Sequence, residues 1–317
     1  MRKFKPVHIL LALCIGVVLL AGCQKPEAGK LRIGVLPILD TLPLYVAEAE
    51  GYFAAQGIDV ELIAVASAAE RDQLLQARQI DGIITDLAAL ALYNRDKPQV
   101  VAVRYAMVPT EDFAQFRVLA SAQSGITTVD GLRSVPIGVS EGTVIEYVTY
   151  RLLEAEGLTT DAIATLAVPK IPDRMALLSA GELSAATLPE PLASLAMQQG
   201  AVVIVDDTHR PEVSCSVFAF RKDVIDKQPQ AVRAFLTAVD QASAAINADK
   251  NRWGTLLTEK GLVPAPLVGD YTLPNYPGAA VPTEAQFADV VAWLQETGRL
   301  TTSPAYQDSV ETADGKR

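Results

Sequence analysis

The stretch LRIGVLPILDTLPLYVAEAEGYFAAQGIDVELI, residues 31–63, carries the alternation on which the fold depends. LRIGVLP predicts a strand, PLYVAEAEGYFAAQG predicts a helix that ends at Gly57, and IDVELIAV predicts the next strand. A strand, a turn and an amphipathic helix form the unit from which parallel α/β sheets are built. The stretch therefore predicts an open, mostly parallel sheet with helices on both faces.

The same alternation continues in two blocks. The first block adds a helix opened by a capping box at Ser67 and the strands DGIIT and QVVAVRYAM. The second block has strands at FRVLAS, SVPIGVS, TLAVPK, SAATL and AVVIVDD, with helices between them. One long strand, VSCSVFAFR, follows, and then come helices, one of which opens with a capping box at Thr283. This order predicts two α/β lobes, with the chain returning to the first lobe at its C-terminal end.

The domain boundaries follow from these blocks. We expect residues 31–112 to form the first part of lobe 1 and residues 113–212 to form lobe 2. Residues 213–300 would provide the return strand and the C-terminal helices of lobe 1, and residues 301–317 a tail.

The N-terminus has the pattern of an export signal over residues 1–22, with the basic segment MRKFKP before the apolar run VHILLALCIGVVLLAG. Its last residues resemble a bacterial lipobox, in which Cys23 is lipidated after cleavage. Residues 23–30 are polar and typical of a flexible tether. We therefore predict an exported protein anchored to a membrane by lipid, in the periplasm or at the cell surface.

Composition excludes several classes of function. Loss of the signal removes three basic residues and no acid, which makes the net charge of −10 more negative by three. Nucleic acid requires a basic surface, so it is not an expected partner. After processing and lipidation Cys215 is the remaining cysteine and His209 the remaining histidine, so the sequence predicts no disulfide, metal site or cofactor.

The residues also carry a family resemblance. The opening stretch, the segments GIITDLAAL and DGLRSVPIGVSEGTVIEYVTYRLLEAEGL, and the motif ATLPEPLASLA resemble the solute-binding lipoproteins of ABC importers for nitrate, sulfonates, taurine and thiamine-precursor pyrimidines. The resemblance implies a type II periplasmic-binding-protein fold, with two α/β lobes, two crossing strands and a ligand cleft between the lobes. It also implies that lobe closure on the ligand is recognised by an importer.

In open α/β sheets, ligands bind beyond the C-terminal ends of the strands, where loops lead into helices. Four loops of this chain have that position, and each contains an acid. Either Asp40 or Thr41 could cap the helix that includes Pro43, and Asp86 begins a later helix, DLAALALYNRD, which Thr85 could also cap. The candidate ligand contacts are Asp40, Thr41, Thr85, Asp86, Ser140, Glu141, Gly142, Thr143 and Glu190.

Two of these loops combine capping with possible ligand contact. In VSEGTVIEY, residues 139–147, Thr143 and Glu146 have the spacing of a capping box, while Gly142 would let the backbone approach a ligand with free amide groups. In LPEP, Glu190 is predicted to cap the helix that Pro191 begins. The nearby aromatic residues are interpreted mainly as core that could also line the cleft: Tyr105, Phe113 and Tyr147.

The charges of these loops favour an amine. An anion binds best to helix N-termini with Arg or Lys, and the candidate loops contain acids and no base. Arg104 and Arg174 are the nearest basic residues, and we interpret both as ion-pair partners at the surface or between lobes. The balance favours an aminopyrimidine, such as a thiamine precursor, or a zwitterionic sulfonate such as taurine.

The sequence thus predicts a monomeric, lipid-anchored solute-binding protein without catalytic residues, which delivers a small organic solute to the permease and ATPase subunits of an ABC importer. One alternative is a lipoprotein sensor that signals the solute to a membrane partner. Another is an enzyme on the same fold, although the reactive histidine and cofactor lysine of pyrimidine-forming relatives do not appear in the candidate loops.

Overall fold

The computed structural model describes residues 29–311, in which ten strands form two five-stranded sheets. Strands β1 to β4 belong to lobe 1, strands β5 to β9 to lobe 2, and β10 to lobe 1 again. Their bounds are β1 Lys30–Val35, β2 Asp59–Ala64, β3 Gly82–Thr85, β4 Val100–Met107, β5 Phe116–Ala120, β6 Pro136–Val139, β7 Ala164–Ala167, β8 Ala185–Pro189, β9 Val202–Asp206 and β10 Ser216–Arg221.

Each sheet contains one antiparallel strand where the chain crosses between lobes. In lobe 1 the order is β2-β1-β3-β10-β4, and β10 runs antiparallel to both of its neighbours. In lobe 2 the order is β7-β6-β8-β5-β9, and β5 is the antiparallel strand. The crossing segments are residues 108–115 and 207–215. The predicted fold class, two α/β lobes joined by two crossings, is therefore confirmed.

The helices cover both faces of each sheet. Those of lobe 1 are α1 Leu42–Ala49, α2 Tyr52–Ala55, α3 Ala68–Gln76, α4 Leu87–Tyr93, α8 Lys222–Lys227, α9 Pro229–Ala248, α10 Gly254–Glu259, α11 Glu284–Glu296 and α12 Tyr306–Ser309. Those of lobe 2 are α5 Val144–Ala155, α6 Ile171–Ala180 and α7 Leu192–Gln198. Within residues 29–311, no helix has the length and apolar character needed to span a membrane.

Helix α9 shows why one face of lobe 1 is stable. Its buried residues recur at helical spacing and include Phe235, which is completely buried. The Phe235 ring stacks on Phe53 at 5.6 Å between centroids and meets Phe218 and Phe220 of β10 edge-on. Aromatic pairs in these geometries add about 0.5–1.5 kcal/mol to the burial of their area. This contact fixes the return strand against the rest of lobe 1.

Two local predictions are wrong. The first predicted helix is broken into α1 and α2 because Gly51 adopts a left-handed conformation, with φ of 72°. The long strand VSCSVFAFR is shortened to β10, since its first residues belong to the crossing. Within the segment predicted as a tail, α12 packs near β4, and Val310 bridges to Ala102 of that strand.

The two predicted capping boxes differ. At α11 the box is complete, with Thr283 and Gln286 each accepting from the other's backbone amide. At α3, Ser67 accepts from the Glu70 amide, but the Glu70 carboxylate accepts from Ala66 instead. The signal peptide, Cys23 and nearly all of the tether lie outside the described residues.

Candidate functional site

The lobes are in contact through the loops that follow their strands. The starts of α4 and α5, one from each lobe, are so close that Leu87, Ala88 and Val144 line the same small void. A second link between the lobes is the segment that contains Tyr271 and Tyr276. Tyr276 Oη donates to the Leu39 carbonyl of lobe 1 at 2.7 Å, and Tyr271 Oη donates to the Glu190 carboxylate of lobe 2 at 3.1 Å. The loops that follow the strands of the two lobes are thus in contact with each other.

Asp40 and Thr41 follow β1 and are both buried. The Asp40 carboxylate accepts from the Ser216 hydroxyl on β10, and burial raises its pKa, an effect that the Ser216 bond opposes. Thr41 occupies the N-cap position of α1, but its hydroxyl donates to the Ile38 carbonyl at 2.6 Å and accepts no helical amide. The prediction that one of the two side chains caps α1 is therefore wrong.

Thr85 ends β3, Asp86 follows it, and both are buried. Asp86 caps α4, accepting from the Ala89 amide at 2.9 Å, which confirms that Asp86 begins this helix and excludes Thr85 as the alternative cap. The Thr85 hydroxyl is buried without a hydrogen-bond partner. Burial raises the pKa of Asp86, and the Ala89 bond opposes that rise. Among the described residues, neither Asp40 nor Asp86 has a basic side chain within ion-pair distance.

The loop after β6 is organised by Thr143 and Glu146. Thr143 caps α5, as predicted: its hydroxyl accepts from the Ile145 amide at 3.2 Å. Glu146 accepts from the Gly142 amide at 2.7 Å and pairs with Arg299 at 2.7 Å, so the predicted reciprocal box with Thr143 is not formed. Of the amides in the first helical turn, which we expected to be free, that of Ile145 is bonded to Thr143, and the Gly142 amide before the helix is bonded to Glu146. Glu141 is exposed.

Glu190 follows β8 and is buried. It does not cap α7, because Pro191 takes the N-cap position. Its carboxylate contacts the guanidinium of Arg117, on the adjacent strand β5, and accepts from Tyr271. The interpretation of this loop as an unopposed acid is wrong, since Arg117 supplies the counter-charge. Sequence spacing does not reveal a partner 73 residues away.

Arg174 is the other basic residue at the cleft edge. It lies in the first turns of α6, is completely buried, and donates from Nη1 to the Ser140 hydroxyl at 3.1 Å. Ser140 in turn donates to the Pro169 carbonyl at 3.1 Å. The predicted ion pair is absent, because no carboxylate of residues 29–311 pairs with Arg174. By contrast, Arg104 does form an ion pair, with Asp240 of α9 at 3.4 Å.

Asp207 holds the two crossing segments together. Its carboxylate accepts from the amides of Gln115 and Phe116, at 2.9 and 3.1 Å, and from the Ser214 hydroxyl. The residue is completely buried, and burial raises its pKa to about 7, against the effect of these three donors. Asp207 therefore fixes the hinge region by hydrogen bonds to neutral groups.

A larger cavity lies beside the hinge and away from the four candidate loops. It has a volume of about 840 Å³ and lies between α5, α11 and the two crossing segments. Arg151 of α5 makes a two-point ion pair across it with Asp289 of α11, both contacts being 3.0 Å. Tyr105 and Tyr147, considered above as possible cleft residues, line this cavity. Its charged side chains already pair with each other.

The comparisons with known proteins agree on the fold. A family model for the NMT1-like family matches residues 24–255. The nitrate/nitrite-binding protein NrtA of Nostoc sp. is 25% identical in an alignment of 252 residues, which covers 73% of this chain and 57% of that protein. The chain spans little more than half the length of the curated relatives it matches.

Two crystal structures share the architecture at low identity. The periplasmic aliphatic sulphonate binding protein SsuA from Escherichia coli is 19% identical with a TM-score of 0.76, covering 91% of this chain and 93% of that one. The periplasmic nitrate-binding protein NrtA from Synechocystis is 18% identical with a TM-score of 0.73, covering 91% and 87%. On the family-model match, which extends over more than half of its residues, this chain belongs to the NMT1-like family.

Proposed function

We propose that this protein is the exported solute-binding subunit of an ABC importer, and that it captures a small solute bearing an amine between its lobes. The observation that carries the proposal is the pair of buried carboxylates at the ends of β1 and β3. Asp40 and Asp86 accept hydrogen bonds only from neutral donors and form no ion pair among the described residues, although the charge of Arg71 acts to lower the pKa of Asp86. An ammonium or amidine group between the lobes would supply that counter-charge.

Delivery to the membrane follows from the same architecture. Lobe closure around a solute creates one surface that a permease can distinguish from the open form. Lipidation of Cys23 would hold the monomer at the membrane beside the permease and ATPase subunits. The names of the relatives, a nitrate/nitrite-binding and a sulphonate-binding protein, support capture of a small solute.

Catalysis is less well supported. Cys215 is buried, and burial raises the pKa of its thiol far above the usual range, so it is a poor nucleophile. His209 is exposed on the crossing segment and does not belong to the candidate loops. A sensor would use the same cleft, and co-purification with a permease or with a sensor protein would distinguish the two roles.

The test is a thermal-shift screen of the mature protein against pyrimidines, taurine, alkyl sulfonates, nitrate and flavins. A solute at a hundred times its Kd stabilises the folded protein by about 2.7 kcal/mol, which raises Tm by several degrees. We expect an amine-bearing compound to do so. If no compound shifts Tm, the proposal fails.

Charge-neutral variants then test the amine. Asp86→Asn keeps a side chain that caps helices, and Asp40→Asn keeps the size of the buried group. Each should weaken binding of the identified amine at least tenfold. Asp59→Asn, at an exposed position on β2, is the matched control and should leave binding unchanged. Unchanged affinity in both cleft variants would show that the amine is not recognised there.

A further inference from the structure

Arg174 is a buried charge without a counter-charge. Its side chain has no exposed surface, and its Nε and Nη2 atoms have no hydrogen-bond partner within residues 29–311. The strongly buried guanidinium of lobe 1, that of Arg71, by contrast pairs with Asp72 at 2.9 Å and donates to the Ile84 carbonyl at 2.8 Å. Arg174 makes one bond, to the neutral Ser140 hydroxyl.

The position of Arg174 directs its charge toward the cleft edge. Helical side chains point toward the N-terminus of their helix, and α6 begins just beyond the carboxyl end of β7. The stem of Arg174 lies over Gly138 of β6, where a Cβ atom would come within 3.2 Å of it. Its head reaches Ser140, the first residue after β6 and one of the candidate ligand contacts. Gly138 therefore provides the space that lets the guanidinium reach this edge.

The energetic cost of this arrangement is large unless something compensates it. Burial of an unpaired charge costs several kcal/mol, and apolar replacements of similar volume are often neutral or stabilising. Burial alone lowers the pKa of Arg174 to about 10, so the guanidinium still carries its charge at neutral pH. Groups that reduce stability in this way occur mainly at functional sites.

We infer that the Arg174 guanidinium, held beside Ser140, binds an acidic group of the captured solute, and that the solute is therefore a zwitterion. This inference rests on the proposed function and narrows it. The amine would face Asp40 and Asp86, while a carboxylate, sulfonate or phosphonate accepts from the Nε and Nη2 atoms of Arg174, because Ser140 already donates its proton to Pro169. A two-point contact from a guanidinium to an oxyanion is the strong, geometrically specific interaction that arginine provides. A neutral aminopyrimidine lacks that group.

The first experiment needs no ligand. Arg174→Met replaces the charged head with an apolar chain of similar length, and Arg117→Met does the same at a guanidinium that contacts Glu190. If Arg174 is kept for a ligand, ligand-free Arg174→Met melts at or above the wild-type temperature, whereas Arg117→Met melts well below it. If Arg174→Met also melts well below wild type, Arg174 is structural and the inference is wrong.

The second experiment uses probes with the same two-carbon skeleton: taurine and β-alanine carry both charges, ethanolamine lacks the acid, and ethanesulfonate lacks the amine. Calorimetric titration of the mature wild-type protein should show at least tenfold tighter binding of a zwitterionic probe than of ethanolamine. Arg174→Met should abolish that preference, and Arg174→Lys should restore part of it.

The outcomes separate the two claims. If Arg174→Met retains the zwitterion preference, the inference is wrong while the proposed function stands. Equal binding of ethanolamine and zwitterions by the wild type also overturns the inference alone. If neither these probes nor any amino acid binds while a neutral amine from the wider screen does, the zwitterion is excluded and solute capture is retained. If nothing at all binds, both claims fail.

Discussion

Arg117 and Arg174 are two guanidiniums of the same lobe, each beside a candidate loop, and they differ in one respect. Arg117 contacts Glu190, while Asp206 lies 3.9 Å away, so its charge is balanced inside the protein. Arg174 has only the Ser140 hydroxyl and no balancing acid. A paired charge contributes to the stability of the lobe, and an unpaired one lowers it. The acid of the loop after β8 is thus neutralised within the protein, whereas the guanidinium beside the loop after β6 has no counter-charge and can bind an acidic group of a ligand.

The largest expected effect comes from breaking the balanced pair. Arg117→Met leaves Glu190 as a buried acid without its counter-charge, which should cost about 4 kcal/mol of unfolding free energy, measured by urea denaturation. The double variant Arg117→Met/Glu190→Gln removes both charges and should recover most of that loss. If the double variant is no more stable than the single one, the pairing does not explain the loss.

A second prediction concerns the pH dependence of stability at Asp207. Unlike Glu190, which contacts a guanidinium, Asp207 accepts hydrogen bonds from neutral donors only. The folded protein keeps a proton on Asp207 up to a pKa of about 7, while the unfolded chain loses it near pH 4. The folded state thus binds more protons between these values, and the contribution of Asp207 to stability falls as pH rises through that window. In Asp207→Asn this contribution is absent.

Unfolding free energies at pH 4.5 and pH 7.5 check this. The fall between the two values should be smaller in Asp207→Asn than in wild type by roughly 3 kcal/mol. Parallel curves for the two proteins would mean that Asp207 is ionised throughout, stabilised by its three donors.

A third prediction tests whether the loop after β6 is held independently of Arg174. Thr143→Ala removes the cap of α5 and should cost about 1 kcal/mol in both the wild-type and the Arg174→Met backgrounds. Thr255→Ala, at an exposed position in α10, is the control and should not lower stability. A cap that contributes only when Arg174 is present would show that the two features act as one unit.

The smallest effect is expected at Glu141, the exposed acid of the same loop. Glu141→Gln should change the unfolding free energy by less than about 0.5 kcal/mol, because the side chain is exposed and makes no hydrogen bond or ion pair with residues 29–311. It should also leave the affinity for the identified solute unchanged. A clear loss of affinity would return Glu141 to the ligand site and weaken the assignment of the amine to Asp40 and Asp86.

The sequence predicts the lobes well because strand and helix alternation is a local property, as in residues 31–63. Capping was predicted at Thr143 and Thr283 for the same reason. It failed at Asp40, whose carboxylate finds Ser216 on a strand that is distant in sequence. The prediction of charge partners was wrong at Glu190 and Arg174, because ion pairs depend on the order of strands in the sheet. The partner of Glu190 lies on β5, which is beside β8 only in the folded sheet. Local sequence patterns therefore predict loops and helix starts, but they do not predict which charged side chains pair.

The most direct test of the account is a crystal structure of the protein with the zwitterionic solute that binds it best. The account predicts that an oxygen of the solute's acidic group lies within about 3 Å of the Arg174 guanidinium, with the ammonium facing Asp40 and Asp86. A solute bound in the hinge-side cavity, or one in the cleft with its acidic group away from Arg174, would contradict it.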